Sequence, residues 1–93
     1  MLTEPVTFKA RIQKGYRIQV PVLIRWMFKL EPGEIFLVRV WLGYPEEFYA
    51  RLTRDGRIYI PKVVVDEFIE YHSIEESSIE GYTVEVTLRP AVA

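Results

Sequence analysis

Two stretches of the 93-residue chain decide its fold: FKARIQKGYRIQVP, residues Phe8–Pro21, and FYARLTRDGRIYIP, residues Phe48–Pro61. They align without a gap, and the identical positions are Phe8/Phe48, Ala10/Ala50, Arg11/Arg51, Arg17/Arg57, Ile18/Ile58 and Pro21/Pro61. Internal repetition at a constant spacing indicates one structural unit used twice. The sequence therefore predicts a tandem repeat, in which equivalent residues of the two stretches differ by 40 in number.

Each copy alternates apolar and polar residues as a strand with one buried face does. The first copy alternates over Phe8–Gln13 and again over Arg17–Val20. Between these runs lies Gly15, and Gly56 follows Asp55 in the second copy. Glycine favours a tight turn because it accepts positive φ without a Cβ clash. We therefore expect each copy to open as a β-hairpin that ends at proline.

A helix is predicted after each of these prolines, because the first helical turn does not need the missing N–H. The first helix should cover Val22–Leu30, with Leu23, Met27 and Leu30 on one apolar stripe and Ile24 and Phe28 beside it. Pro32 and Gly33 then end it.

The remaining segments complete two ββαββ repeats. Two strands or one long bent strand should cover Glu34–Leu42, and the second helix should run from Lys62 to about Tyr71. The segment His72–Gly81 adds about eight residues to the second copy. A half-buried strand is predicted for Tyr82–Leu88, where apolar residues again alternate with polar ones.

The length of the chain indicates one domain over residues 1–93. Within it, the first repeat occupies 6–42, the connector 43–47 and the second repeat 48–90. Each repeat is close to the size below which a core of its own is insufficient for stability. The two halves should therefore share one core in a β-rich α+β fold.

Charge is segregated along the chain although the net charge is only −1. Between Phe8 and Leu30 there are basic residues and no acid, and the basic residues are Lys9, Arg11, Lys14, Arg17, Arg25 and Lys29. The second copy adds Arg51, Arg54, Arg57 and Lys62 against Asp55 alone. From Asp66 to Glu85 every charged residue is acidic. Such segregation matters more than the sum for a nucleic-acid footprint.

Several classes of function are not supported by the sequence. Cysteine is absent, and no P-loop, dinucleotide-binding glycine motif, HExxH or nucleophile elbow is present. The single histidine, His72, lies near Glu70, Ser73, Glu75 and Glu76, but closeness in sequence is not a catalytic geometry. We therefore expect no enzyme activity, no cofactor and no metal, with His72 as a surface residue at a helix end.

The cellular location and the type of source organism are predicted from features that the sequence lacks. No apolar run approaches the ~20 residues that span a bilayer, and Met1–Thr7 does not resemble a signal peptide. These features predict a cytoplasmic protein with no membrane partner. Asparagine is absent and arginine outnumbers lysine, which is typical of a thermophilic source.

The segments Lys14–Pro21 and Leu30–Glu34 together resemble the AbrB/MazE/SpoVT swapped-hairpin family, and Arg54–Pro61 resembles it in the second copy. The resemblance implies a barrel-like body in which two ββαββ units interleave their hairpins. Here both units lie in one chain, so it implies an intramolecular pseudo-dimer. The second copy departs from the pattern, since it lacks the Pro-Gly stop, its helix region is acidic, and Tyr16 stands where it has Gly56.

The resemblance implies a DNA-binding protein that regulates transcription, with double-stranded DNA as its partner. Its DNA contacts would come from basic side chains of the hairpins and helix starts. In this chain those residues are Lys9, Arg11, Lys14, Arg17, Arg25, Arg51, Arg54, Arg57 and Lys62. The alternative is that these residues form only a solvated face that protects strand edges.

Two other functions remain open. An antitoxin-type protein would bind a protein partner through the folded body or through the acidic region 66–80. An oligomerisation module would use Trp26 and Trp41, which fall off the predicted apolar faces and could line a contact between copies.

Overall fold

The computed structural model describes residues 1–72 and 79–91. These residues form an α+β fold rich in antiparallel strands. The elements in chain order are β1 (Val6–Arg11), β2 (Arg17–Gln19), α1 (Val22–Met27), β3 (Ile35–Trp41), β4 (Pro45–Arg51), β5 (Arg57–Tyr59), α2 (Lys62–His72) and β6 (Thr83–Pro90). Each half thus runs β-β-α-β, with one strand after its helix rather than two. No glycine or proline interrupts the alternation of β3, so it continues as one strand.

Every ladder between these strands joins the two halves of the chain, residues 1–42 and 43–91. The four-stranded sheet has the order β1-β6-β3-β4, and β2 pairs with β5 in a separate two-stranded ribbon. All pairs are antiparallel. Among the described residues these are two separate sheets and not one closed barrel. The halves are interleaved. The four-stranded sheet alternates strands of the first and second halves, and the ribbon pairs one strand of each.

The hairpin prediction was wrong in its pairing. β1 and β2 form no ladder with each other, and the pairing between them is an isolated bridge from Gln13, two residues after β1, to Arg17. β1 pairs with β6 and β2 pairs with β5 because each finds a longer ladder in the other half. The predicted turns do reverse the chain, but the strands that they join belong to different sheets.

A pseudo-twofold axis relates the halves. The Gly33 amide donates to the Leu52 carbonyl at 2.7 Å, and the Gly81 amide donates to the Ile12 carbonyl at 2.6 Å. Ile12 and Leu52 are equivalent by the spacing of 40 residues, whereas Gly33 and Gly81 are 48 apart (81 − 33). The difference of eight corresponds to the additional residues that precede β6.

The axis passes through the centres of both sheets. In the ribbon, Ile18 pairs with its own equivalent, Ile58. In the four-stranded sheet, Arg39 of β3 pairs with its equivalent, Thr87 of β6. The fold therefore has the symmetry of a dimer although it is made from one chain.

One hydrophobic core lies between the sheets and helix α2. The four-stranded sheet buries alternate residues, which are Phe8, Phe36, Val38, Val40, Phe48, Ala50, Val84, Val86 and Leu88. Ile18 and Ile58 of the ribbon are fully buried and belong to the same cluster. Because both sheets direct one face into this core, their outer faces lie on opposite sides of the protein.

The two helices pack differently. α2 buries Val64, Val65 and Phe68, whereas α1 has no buried residue. Of the stripe predicted for the first helix, Leu30 is buried but Leu23 and Met27 are exposed, whereas Ile24 and Phe28, predicted beside the stripe, pack against the core. The helix also ends at Met27 rather than at Leu30. Its buried side is therefore shifted by one position from the predicted stripe. The strand β4 also begins at Pro45, inside the predicted connector 43–47.

Candidate nucleic-acid interface

The ribbon formed by β2 and β5, together with the turns that precede these strands, carries the largest group of the predicted basic residues. Arg17 lies opposite Tyr59, and Gln19 lies opposite Arg57, on either side of the central Ile18–Ile58 pair. Since alternate residues of a strand point to opposite faces, the buried isoleucines place Arg17, Gln19, Arg57 and Tyr59 on the outer face. We call this outer surface, with the turns at Lys14 and Arg54, the ribbon face.

Both arginines of the ribbon are held in place by hydrogen bonds. Arg17 Nε donates to the Lys14 carbonyl at 3.0 Å, and Arg57 Nε donates to the Gln13 side-chain oxygen at 2.9 Å. A guanidinium has five donors, so a bond through Nε leaves donors on the terminal nitrogens for an anion. The two side chains are thus oriented before any ligand binds.

Asp55 reduces the positive charge of the ribbon face on one side. Its carboxylate accepts a hydrogen bond from the Thr53 hydroxyl and forms an ion pair with Arg57. The Thr53 hydrogen bond and then the charge of Arg57 lower the pKa of Asp55 below its usual value. Asp55 is therefore ionised at neutral pH, and an anion that approaches Arg57 must compete with it.

Lys14 and Arg54 occupy equivalent turns at the two ends of the ribbon. Both are exposed, and both stand in the turn between the first two strands of their half. Since they differ by 40 in number, the pseudo-twofold axis relates them. They extend the positive charge of the ribbon face in both directions from its centre.

Arg25 joins this group from helix α1. Its Nε donates to the Val20 carbonyl at 3.1 Å, and its guanidinium covers Gly56 so closely that a Cβ there would lie 2.4 Å from Cζ. Gly56 also has a φ of +78°, which L side chains rarely adopt. The equivalent of Arg25 in α2 is the buried Val65, so this contact exists on one side of the axis only.

Lys62 lies at the start of α2, three residues after β5. Its Nζ donates to the Asp66 carboxylate at 3.0 Å, one helical turn along. Both side chains are exposed, so water screens the pair and it contributes little to stability. The positive charge of Lys62 is nevertheless partly balanced before any ligand approaches.

The other three predicted contacts lie on the four-stranded sheet, away from the ribbon face. Lys9 is paired in register with Glu85. Arg11 Nε donates to the Gly81 carbonyl at 3.2 Å, and Arg51 donates through a terminal nitrogen to the Gly33 carbonyl at 3.1 Å. These carbonyls are equivalent by the pseudo-twofold axis. The structure therefore divides the nine residues into two groups, which the alternation pattern within each strand could not do.

Sequence reasoning missed several polar residues that order the ribbon. Gln19 Nε2 donates to the carbonyls of Asp55 and Gly56 at 3.0 and 3.2 Å, which ties β2 to the turn of the other half. Gln13 orients Arg57, and Tyr59 is 53% exposed on the outer face. Alternation with Ile58 and Ile60 was the signal that could have identified Tyr59.

The acidic region 66–80 is only partly described. Asp66, Glu67 and Glu70 are exposed on α2, whereas Glu75 and Glu76 lie outside the described residues. Glu80 accepts a hydrogen bond from the Gly15 amide at 2.7 Å, and so connects this region to the first turn.

His72, at the end of α2, is half-buried rather than a surface residue. Its ring packs on Phe68 with ring centroids 4.4 Å apart, and its Nε2 lies 2.7 Å from the Leu42 carbonyl. Its predicted neighbours Ser73, Glu75 and Glu76 lie outside the described residues. In residues 1–72 and 79–91 no group of three or more acidic or histidine side chains is placed to hold a metal ion.

Two carboxyl groups interact where β4 meets α2. A hydrogen bond with Glu67 raises the pKa of Glu46 above its ordinary value of 4.5, and partial burial and the charge of Glu67 act in the same direction. The protonated Glu46 carboxyl is thus the donor that this pair requires. Because the pKa is raised in the folded state, the stabilisation is complete below the unfolded pKa and is lost as pH rises through the folded value.

We expect Glu46→Gln to stabilise the protein at pH 7 and to have little effect at pH 4. The glutamine amide supplies the donor at every pH, whereas the wild-type carboxyl supplies it only when protonated. Thermal unfolding at both pH values measures the difference in Tm. Glu4→Gln, an exposed position before β1, is the control for removal of one charge. An equal shift of Tm at pH 4 and pH 7 would contradict this account of the pair.

Within the described residues no helix is long and apolar enough to cross a membrane. No family model matches the chain, and no curated protein matches it. A solved structure does match: the solution structure of PHS018 from Pyrococcus horikoshii has a TM-score of 0.68 and 22% sequence identity. The match covers 96% of this chain and 94% of that one. At this level of identity the similarity shows that the two proteins share a fold.

Proposed function

We propose that this protein binds duplex DNA through the ribbon face and regulates transcription. The proposal rests on one observation. Five cationic side chains from both halves of the chain lie together around the pseudo-twofold axis, four on the ribbon face and one on the adjoining helix α1. These are Lys14, Arg17, Arg25, Arg54 and Arg57. Clustered arginine and lysine on one surface is the electrostatic footprint of a protein that binds phosphates.

The symmetry of the ribbon face suits a duplex. DNA has approximate dyads along its length, and a protein with its own twofold relation can place equivalent side chains on both strands. Lys14 with Arg54 and Arg17 with Arg57 are two such equivalent pairs. Arginine both positions on phosphates and can bind guanine edges with two hydrogen bonds. Arg25 adds a contact on one side only, so the footprint should be slightly asymmetric.

The fold is most simply understood as a swapped-hairpin pseudo-dimer of the AbrB-like type. The support for this is that every strand ladder joins the two halves, as interleaved units require. Lys9, Arg11 and Arg51 are not on the ribbon face, so in this proposal they have a smaller part in binding. Lys62 adjoins the ribbon and would contribute once its ion pair with Asp66 opens.

Affinity should depend strongly on salt. Five ribbon cations and Lys62 would neutralise about six phosphates, which gives a slope of log affinity against log salt of about −5. Fluorescence anisotropy with a labelled random duplex, measured between 50 and 200 mM salt, gives this slope. Over that range affinity should fall about a thousandfold. Absence of binding at the lowest salt would overturn the proposal.

A pair of matched variants then locates the site. Lys14→Ala/Arg54→Ala removes two exposed cations from the ribbon face, and Lys9→Ala/Arg39→Ala removes two exposed cations from the outer face of the four-stranded sheet. The change in net charge is the same in both. The first should reduce the magnitude of the salt slope by about two, and the second should leave it nearly unchanged. Equal reductions would indicate diffuse attraction without a site on the ribbon.

Protein binding is the second candidate function, and the exposed apolar surface of helix α1 is the observation that favours it. An antitoxin-type partner or a second copy of the chain would both use such a surface. Sedimentation equilibrium of the protein alone distinguishes them, because only association with a second copy raises its mass.

A further inference from the structure

Helix α1 exposes four large apolar side chains on one surface. Val22, Leu23, Trp26 and Met27 are 44%, 64%, 72% and 71% exposed, respectively. Since residues three and four apart are neighbours on a helix, Leu23 adjoins Trp26 and Met27, and Val22 adjoins Trp26. We call this surface the α1 face. Scattered exposed apolar residues are ordinary, but a contiguous patch of this kind indicates an interaction site.

The pseudo-twofold axis supplies an internal comparison for the α1 face. The equivalent positions on α2 are Lys62, Val63, Asp66 and Glu67, and all four are exposed as well. This surface therefore carries three charged side chains and one valine on α2, whereas all four side chains on α1 are apolar. Packing within the chain does not require Trp26 and Met27, so the apolar character of the α1 face has another cause.

The size of the α1 face is suited to a small dimer. Side chains of these sizes at these exposed fractions present roughly 500 Å², which is near the upper end of the largest apolar patch on a typical monomer. Two such faces in contact would bury about 1,000 Å², close to the lower limit for a specific interface. Neighbouring residues at the rim, such as the exposed Lys29, would add to this area.

Of the two equivalent helix faces of this protein, the α1 face of a second copy is the better partner for the α1 face. The equivalent face on α2 is a poor partner, because burying Asp66 and Glu67 against Trp26 would remove carboxylates from water without compensation. The α1 face of another copy presents matching apolar side chains. A contact of a surface with itself is the geometry of a twofold dimer, the commonest symmetry of soluble oligomers.

We propose that two copies of this chain associate through the α1 face about a twofold axis, with Trp26 and Met27 at the centre of the contact. Arg25 is engaged at Val20 and Gly56, and the ammonium group of Lys29 would remain solvated at the rim while its aliphatic stem is covered. Like charges then flank the contact on both copies. The dimer should therefore be as strong or stronger at high salt, which is the opposite of the salt dependence expected for DNA.

Sedimentation equilibrium over a range of concentrations tests the association. The wild type should approach twice the 11.0 kDa mass of the chain. Trp26→Asp/Met27→Glu gives α1 the residues that α2 carries at the equivalent exposed positions, so folding should be preserved. A hot-spot residue lost from one side costs about thirtyfold in affinity, and in a twofold contact both copies lose it, which gives roughly a thousandfold. The variant should be monomeric.

Val63→Glu is the matched control, because it removes an exposed apolar side chain from α2. It should leave the dimer intact. A monomeric wild type at all concentrations would overturn the proposal, as would an unchanged mass for the Trp26→Asp/Met27→Glu protein. Equal disruption by Val63→Glu would also overturn it, because the contact would then not be specific to the α1 face.

Tryptophan fluorescence supplies a second measurement that does not depend on the charged variant. The chain has two tryptophans, and Trp41 is 53% exposed on β3. In Trp41→Phe the emission comes from Trp26 alone, and it should shift to shorter wavelength as the concentration is raised and Trp26 leaves water. In Trp26→Phe the emission of Trp41 should not change with concentration. An invariant Trp26 emission across the dimerisation range would contradict the proposal.

Discussion

Division of the chain after Leu42 is expected to leave neither fragment able to fold, and mixing the fragments is expected to restore the fold. Every strand ladder of the structure pairs a strand of residues 1–42 with a strand of residues 43–91. The first fragment would keep the isolated bridge between Gln13 and Arg17 but none of the ladders. Each fragment alone would thus expose unpaired strand edges and half of a core.

Far-ultraviolet circular dichroism and urea titration of fragments 1–42 and 43–93 measure this. Each fragment alone, as a monomer, should lack a cooperative transition, since chains this short that supply only half of the shared core are marginal in stability. The equimolar mixture should regain the spectrum of the intact chain and unfold cooperatively, at a concentration-dependent midpoint. Cooperative unfolding of either monomeric fragment would show that the halves are separate domains and would contradict the interleaved arrangement.

Phe68→Ala is expected to destabilise the protein much more than Phe28→Ala. The two phenylalanines are equivalent by the pseudo-twofold axis, yet Phe68 is 2% exposed in the core and Phe28 is only partly buried against it. Phe68 also packs on His72 and Tyr82, with ring centroids 4.4 and 5.3 Å away. Truncation of a buried phenylalanine costs about 3–5 kcal/mol, through lost transfer energy and the cavity that remains.

Urea titration of both variants compares their free energies of unfolding on the same scale. Phe28→Ala should cost less, because part of its side chain already contacts water and the space that it leaves is open to solvent. The denaturant dependence should stay the same in both, so that the midpoints report stability. Equal losses would mean that the two helices support the core equally, in conflict with the burial of α2 and the exposure of α1.

Much of the local structure could be predicted from the repeat and from periodicity. The alternation in Phe8–Gln13 and in Tyr82–Leu88 correctly identified strands, and the two prolines correctly preceded helices. The stripe predicted for helix α1 was wrong at Leu23 and Met27, because a six-residue helix contains too few turns to distinguish neighbouring faces. Leu23 and Met27 are apolar and four residues apart, which is the spacing of a buried stripe, although both are exposed.

The candidate site was predicted less completely than the fold. The residue types were recognised from charge segregation, but Lys9 and Arg17 were grouped together although they lie on different sheets. Gln13 and Gln19 carry no charge and gave no signal, yet they orient Arg57 and the turn of the other half. Such contacts depend on which strands become neighbours, and no local pattern carries that information.

Periodicity, turn residues and duplication are properties of short segments, and they were sufficient to establish from the sequence alone that this chain is a tandem repeat of strands and short helices. The choice of partner for each strand was decided only in the tertiary structure. β1 could in principle pair with β2 across its turn, but the ladder with β6 is longer and covers the shared core. That competition is between distant segments, and its outcome gathers the cations on the ribbon face and leaves α1 apolar and exposed.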